Sequence, residues 1–104
     1  MKIVDKGIAI NIPWRVCKIR HYYTAYVAVP PTHPWHEVTY DNLPHGNVEF
    51  TYSQYEETIW VVGWDYAHYG QEGTTLEDVK RDVLHVVDLM NNPISIEVPR
   101  CLKE

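Results

Sequence analysis

Residues 74–90 read TTLEDVKRDVLHVVDLM, and this stretch decides the fold class. Its apolar residues recur at alternating steps of three and four, which places them on one face of a helix. Thr74 and Glu77 have the spacing of a capping box, and the run Asn91, Asn92, Pro93 predicts the end of the helix. The sequence therefore predicts one amphipathic helix over 74–90. Its apolar face consists of Leu76, Val79, Val83, Val86 and Met90.

Short apolar segments with strand character lie before this helix. Segment 22–29 is rich in Tyr and β-branched residues, which is typical of a strand. The short polar link 54–58 predicts a hairpin. Gly63 indicates a bulge or a close approach by another group. These elements predict an α+β domain in which an antiparallel sheet of about five strands carries one C-terminal helix on one face. The predicted strands are 8–12, 15–19, 22–29, 48–53 and 59–64, with a further strand at 94–98 after the helix.

Length and charge restrict the class of protein. The chain has 104 residues, which fits a single domain spanning 1–104, and its formal net charge is −5. That charge argues against binding of extended nucleic acid, although a pocket for one small anion needs only two or three local cations. We expect a cytoplasmic protein without membrane contact, since neither a signal peptide nor a run of membrane-span length is evident. Cys17 and Cys101 are then expected to be reduced.

A long loop at 32–44 holds the motif HPWH, formed by His33, Pro34, Trp35 and His36. Loops of this length in small domains are often functional. Zinc takes three or four N, S or O ligands, so these histidines could form a metal site with residues of adjacent loops. The alternative is that each histidine fixes a loop by bonding to backbone. The further candidates for such a cluster are Asp41, His45, Asp65 and His68.

The motif WDYAHYG follows the predicted strand 59–64 directly. A carboxylate can orient an imidazole, so Asp65 and His68 could act as the orienting group and the general base of a small hydrolase. The available hydroxyls, Thr51 and Ser53, lie outside any recognised nucleophile motif. The alternative is a polar brace that holds the loop before the helix.

Basic residues concentrate in the segment 15–21. Arg15, Lys18 and Arg20 could hold a phosphate or carboxylate, with arginine binding in a bidentate manner. Trp14 or Trp35 could stack on a purine base. The alternatives are a solvated strand face for the cations and a core anchor for Trp35.

Several pieces of 26–70 occur together in a known pattern. They are the run Tyr26, Val27, Ala28, Val29, Pro30; the pairs His33–Pro34, Tyr40–Asp41, His45–Gly46 and Thr51–Tyr52; and the run Gly63, Trp64, Asp65, Tyr66, Ala67, His68. This set resembles a family of small phage and prophage proteins. The resemblance implies an accessory role such as countering host defence, for which sequestration of nucleotide immune signals, as by Thoeris anti-defence sponges, is the analogy. Asn42, Asn47 and Gln71 depart from the pattern, and the lost carboxylates weaken a metal or hydrolytic function more than a binding function.

The sequence therefore favours an anti-defence binding protein that sequesters a small nucleotide signal of cyclic ADP-ribose or cyclic nucleotide type, without turnover and without a cofactor. The alternatives are a His/Asp hydrolase or phosphodiesterase acting on such a nucleotide, and an inhibitor that binds a host defence enzyme through exposed aromatic residues. A homo-oligomer, a dimer by base rate, could build a deeper pocket. The residues predicted to contact the ligand are Trp14, Arg15, Lys18, Arg20, His33, Trp35, His36, Asp41, His45, Asp65 and His68.

Overall fold

The computed structural model describes residues 1–92, and it has the predicted α+β architecture. Five strands form one antiparallel sheet in the order β1-β2-β3-β5-β4, and helix α1 packs against β2 and β3. The predicted strand 94–98 and Cys101 lie outside the described residues. The elements are β1 (Lys2–Ala9), β2 (Ile12–Ile19), β3 (Tyr22–Val29), a 3-10 turn (Tyr40–Asn42), β4 (Tyr52–Glu56), β5 (Ile59–Asp65) and α1 (Leu76–Met90).

The first hairpin corrects the predicted strand at 8–12. The chain reverses at Ile10 and Asn11, whose φ angles of 47° and 66° are left-handed, so β1 ends at Ala9 and β2 starts at Ile12. Alternation of Ile8, Ile10 and Ile12 predicts a half-buried strand, but Ile8 and Ile10 are exposed. Asparagine tolerates the left-handed conformation, which favours a turn at this point.

The second half of the sheet also differs from prediction at its boundaries. Residues 48–51 are not part of a strand; β4 starts at Tyr52 and extends to Glu56, inside the predicted link. The chain then reverses around Glu57, which has a φ of 59°, and enters β5 at Ile59. The buried ring of Phe50 explains the shift, because the segment before β4 packs into the core.

Helix α1 starts at Leu76, two residues later than predicted, and its N-cap is Thr75, one residue after the predicted Thr74. The Thr75 side chain accepts from the Asp78 amide, and the Asp78 carboxylate accepts from the Thr75 amide. The capping box is therefore Thr75 and Asp78, and Thr74 lies outside it. The predicted apolar face is buried at Val79, Val83, Val86 and Met90, with Leu76 packed at its edge. No helix within residues 1–92 is long and apolar enough to cross a membrane.

The two faces of the sheet have different coverings. Val16, Val27 and Val62 lie on the face that packs against α1. The loop between β3 and β4 adds Trp35, Leu43 and Phe50 to the same core. The opposite face, here called the open face, is not covered by any element within residues 1–92; its partly independent cluster is Cys17, Tyr26 and Val61, with Tyr52 against it.

Candidate functional site

The open face contains a cleft of about 360 Å³, here called the open-face cleft. Its lining combines two cations, the Tyr26 ring, carboxylates and aliphatic side chains, among them Lys6, Arg15, Tyr26, Glu56 and Ile59; Trp14 also borders it, but its register with Val27 puts its indole on the helix-packed face. Its volume lies at the lower end of the range for small-molecule sites, roughly 300–1,000 Å³. This cleft is thus large enough to hold a small ligand.

Arg15 is the central polar group of the open-face cleft. Its Nη1 and Nη2 donate to the two carboxylate oxygens of Glu56 at 2.9 and 2.8 Å, and its guanidinium carbon lies 4.3 Å from the centre of the Tyr26 ring. The Tyr52 hydroxyl donates to Glu56 Oε2 at 2.8 Å. The guanidinium is therefore held by the Tyr26 ring beneath it and by a two-bond contact to the Glu56 carboxylate.

Hydrogen bonding, charge and burial shift the pKa values of Arg15, Glu56 and Tyr52. Hydrogen bonding to Arg15 holds the pKa of the Glu56 carboxyl below its ordinary value, and the same contact raises the pKa of Arg15. Burial, with the hydrogen bond to Glu56, raises the pKa of Tyr52 to about 12. At neutral pH the cleft therefore holds an arginine cation and a glutamate anion, and the neutral Tyr52 hydroxyl contacts that glutamate.

Strand register brings these residues together. Arg15 pairs with Tyr26, Tyr26 with Gly63, and Gly63 with Tyr52, so all four lie in one row on the open face. Gly63 makes room for the neighbouring ring, because a Cβ there would lie 2.5 Å from Tyr26 Cδ1. The rings of Tyr26 and Tyr52 consequently meet edge to face at 5.1 Å. The predicted close approach at Gly63 is thus made by Tyr26.

Of the predicted ligand-contacting residues, Trp14 and Arg15 line this cleft. Lys6, Tyr26 and Glu56 also line it, although they are not among the predicted ligand-contacting residues. Strand alternation in β3 and β4 would have identified Tyr26 and Glu56 as face-directed residues. Their convergence on Arg15 depends on the strand order, which no local pattern specifies.

The other two basic residues lie away from Arg15. Lys18 alternates with Cys17 and therefore lies on the opposite face of the sheet, where its Nζ is 4.8 Å from the Tyr23 ring centre. Arg20 is exposed in the turn between β2 and β3, with a φ of 57°. The structure does not bring the three predicted cations to one point.

The HPWH loop is held to the helix. His33 Nδ1 accepts from the Trp35 amide at 3.0 Å, so its Nε2 carries the hydrogen and donates to the Met90 carbonyl at 2.8 Å. This bond satisfies a carbonyl at the end of α1 that the helix itself leaves unpaired. Trp35 is only 2% exposed and contacts Phe50, so a base could stack on it only if the core opened.

His36 belongs to a separate surface group. Its Nε2 lies 3.2 Å from the Tyr55 hydroxyl, which donates to Glu37. The His36 ring also meets the Tyr55 ring at a centroid distance of 6.0 Å. These contacts join the HPWH loop to β4, on a part of the surface that does not line the open-face cleft.

The remaining predicted residues lie in two smaller depressions. Asp41 and His45 line one of about 160 Å³, whereas Asp65 and His68 line another of about 170 Å³. Asp65 accepts from Thr51 Oγ1 at 3.0 Å and from the Ala67 amide at 3.1 Å, while His68 Nε2 is 3.7 Å away. Asp65 thus braces its loop by direct hydrogen bonds, and His68 does not share in them.

A hydrolytic site or a metal site would need side chains placed differently from those just described. A general base must contact the nucleophile, but here the carboxylate of Asp65 lies between the Thr51 hydroxyl and the His68 imidazole. Across residues 1–92, no group of three or more His, Cys, Asp or Glu side chains is placed to hold a metal ion.

No protein-family model, curated protein or solved structure matches this chain.

Proposed function

We propose that this protein binds a small planar anion of nucleotide type in the open-face cleft and does not turn it over. The observation that carries the proposal is the Arg15 guanidinium, which lies over the Tyr26 ring in a cleft that Lys6 also lines. Guanidinium groups bind phosphate and carboxylate in a bidentate manner, and an ordered one loses less side-chain entropy when it binds.

Arg15 keeps donors for a ligand after pairing with Glu56. A guanidinium has five N–H groups, of which two reach the Glu56 carboxylate, and the Arg15 side chain is 25% exposed. Lys6 makes no ion pair with another side chain in the part of the chain described here. An anion between Lys6 and Arg15 would therefore meet one free cation and one cation already oriented.

The aromatic and aliphatic lining supports a planar ligand. Tyr26 provides the aromatic surface of the cleft, whereas Trp14 pairs with Gly7 and Val27 and packs against the main core, so its indole lies on the helix-packed face of the sheet. Ile59 and Val61 provide apolar wall on the other side. A base or similar ring could use this surface while its phosphate meets the cations.

Binding without turnover is favoured by the Asp65 arrangement, in which the imidazole has no contact with the hydroxyl. From the sequence resemblance we further propose that the protein is phage-encoded, acts in the host cytoplasm and sequesters a nucleotide immune signal. Cyclic dinucleotides and cyclic ADP-ribose isomers are accordingly the first ligands to test.

The test is capture and release. Purified protein is incubated with a nucleotide pool containing cyclic dinucleotides and cyclic ADP-ribose isomers, freed of unbound material, heat-denatured, and the released compounds are identified by mass. We expect an intact nucleotide. A chemically changed nucleotide would favour the hydrolase instead, and an empty release would contradict small-ligand binding.

Two variants then test the site with whichever nucleotide is captured. Arg15→Lys keeps the charge but loses the bidentate fork, and Lys6→Gln removes the second cation; each should weaken binding by about 10- to 100-fold, the range for hydrogen bonds to charged groups. Arg20→Gln is the matched control, because Arg20 is exposed in a turn outside the cleft. Equal affinity of Arg15→Lys, Lys6→Gln and wild type would place the ligand elsewhere.

A further inference from the structure

We infer that the open-face cleft selects nucleotides with a guanine base, and that the Glu57 carboxylate is the group that recognises the base. The inference rests on the proposed function, because it names which nucleotides the cleft takes. It goes beyond that proposal by assigning the base end of the ligand, whereas Lys6 and Arg15 are assigned to the phosphate end.

Two glutamates line the cleft, and they differ in what they contact. Glu56 accepts from two Arg15 nitrogens and from the Tyr52 hydroxyl. The side chain of Glu57, the next residue, forms no hydrogen bond or ion pair with another residue of the described range 1–92. Glu57 therefore keeps both carboxylate oxygens as acceptors for a ligand.

The fold itself does not require glutamate at this position. Glu56 pairs with Ile59, so Glu57 is the first residue of a two-residue turn, in which its φ is 59°. Asparagine and glycine adopt this left-handed conformation with less strain than glutamate does. Ile10 and Arg20 have similar φ angles in other turns, but neither lines the cleft. The place of the Glu57 carboxylate in the cleft thus indicates a role in binding.

A carboxylate distinguishes between bases by the donors on their edges. Guanine presents its N1–H and its N2 amino group side by side, so a carboxylate can accept two parallel hydrogen bonds from it, as Glu56 does from Arg15. Adenine instead presents the lone pair of N1 beside its amino group, and that lone pair repels a carboxylate oxygen. Among the common bases, guanine alone has two adjacent donors on this edge. An unengaged carboxylate in the cleft therefore favours guanine.

The strand order places the two ends of such a ligand on opposite sides of the cleft. Lys6 lies on β1 and the Glu57 turn joins β4 to β5, so three to four strand spacings, roughly 14–19 Å in total, separate their backbones. The Arg15 guanidinium lies between them, over the Tyr26 ring. A nucleotide is elongated, with its phosphate at one end and the Watson–Crick edge of its base at the other. The cleft therefore suits a nucleotide in one direction, with its phosphate towards Lys6.

The experiment measures the dissociation constants of 5′-GMP, 5′-IMP and 5′-AMP for the full chain by isothermal titration calorimetry at pH 7. IMP keeps the N1–H of guanine but lacks the amino group. We expect GMP to bind about tenfold more tightly than AMP, with IMP between them, as for hydrogen bonds to a charged group. Equal affinities, or tighter binding of AMP, would overturn guanine recognition and leave nucleotide binding intact. Binding of none of the three would contradict the proposed function as well.

A pair of variants separates Glu57 from a general effect of charge. Glu57→Gln replaces one acceptor oxygen with an amino group, so it should bind GMP about tenfold more weakly than wild type without weakening AMP. Glu72→Gln is the matched control, because it removes the same charge from an exposed loop residue outside the cleft; it should keep the preference for GMP. A Glu57→Gln variant with the wild-type preference would show that another group recognises the base, and would overturn the inference.

Glu57→Asn distinguishes recognition of the base from support of the turn. Asparagine tolerates the left-handed conformation, so this variant should unfold at a higher urea concentration than wild type and yet lose the preference for GMP. A gain in stability with the preference retained would contradict a role for the carboxylate. Loss of both stability and preference would show that Glu57 acts through the turn, which would also overturn the inference.

Discussion

Arg15 and Glu56 are 41 residues apart in sequence, yet they form a two-bond ion pair across the open face of the sheet. The pair joins β2 to β4 over the two strands that lie between them, β3 and β5. Tyr52 donates a third hydrogen bond to the same carboxylate. Because Glu56 holds Arg15 in place, the pair both stabilises the sheet and orients the main cation of the proposed site.

This pair predicts a dependence of stability on pH. The pKa of Glu56 is held below its ordinary 4.5 by Arg15, so its contribution is fully present above pH 4.5 and is lost as pH falls through the lowered value. Glu56→Gln should lower the free energy of unfolding at pH 7 by about 1–2 kcal/mol. This is less than the usual value for hydrogen bonds between charged groups, because the pair is partly exposed and solvent screens it. The difference from wild type should shrink below pH 4.5 in urea titrations.

Glu72→Gln is the matched control, because Glu72 is exposed in the loop before α1. Its unfolding free energy should follow that of wild type across the whole pH range. A constant difference between Glu56→Gln and wild type from pH 7 to pH 3 would show that the ionised pair does not contribute as described.

Gly63 is predicted to tolerate no side chain. A Cβ there would lie 2.6 Å from the Ala25 carbonyl oxygen and 2.5 Å from Tyr26 Cδ1, so the backbone of β3 would have to move. Gly63→Ala should lower the free energy of unfolding by about 1–3 kcal/mol, the usual effect of overpacking. Gly73→Ala, where nothing lies within 4 Å of the added atom, should leave it nearly unchanged. Urea denaturation of both variants gives the comparison, and equal values would contradict the close approach.

The sequence predicts local features of this protein better than its site. The helix follows from a period that extends over 15 residues, so Val79, Val83 and Val86 could be assigned to the core. The strand prediction at 8–12 was wrong because the chain reverses at Ile10 and Asn11, and the alternation of apolar residues continues across that turn although Ile10 is exposed.

The site depends on long-range pairing, and that is why less of it was predicted. Arg15 can be identified from the sequence as a candidate cation. Its contact with Glu56 depends on the strand order, in which β5 lies between β3 and β4, and the sequence does not specify that order. His33 shows the converse: its bonds to Trp35 and Met90 are made to backbone atoms, so its residue type alone cannot distinguish an anchor from a ligand. The spacing of motifs therefore predicts where the loops lie but not which atoms their side chains contact.

The start of α1 gives a prediction that separates two adjacent threonines. Thr75 accepts from the Asp78 amide at 3.2 Å and forms the capping box, whereas Thr74 precedes it. Thr75→Ala should lower the free energy of unfolding by about 1 kcal/mol, the typical cost of losing an N-cap. Thr74→Ala should cost a few tenths at most. Thermal and urea unfolding decide between them, and the reverse order would restore the cap at Thr74.

Tyr66 is predicted to stabilise the contact between β5 and α1 through its hydroxyl. It accepts from Trp64 Nε1 at 2.9 Å and donates to Asp82 Oδ2 at 2.6 Å, and burial raises its pKa. Tyr66→Phe would leave the buried indole N–H without this acceptor, at a cost of about 1–3 kcal/mol. Tyr69→Phe, at a residue 99% exposed, is the matched control and should behave as wild type. If urea unfolding gives Tyr66→Phe the stability of Tyr69→Phe, the hydroxyl does not hold the helix to the sheet.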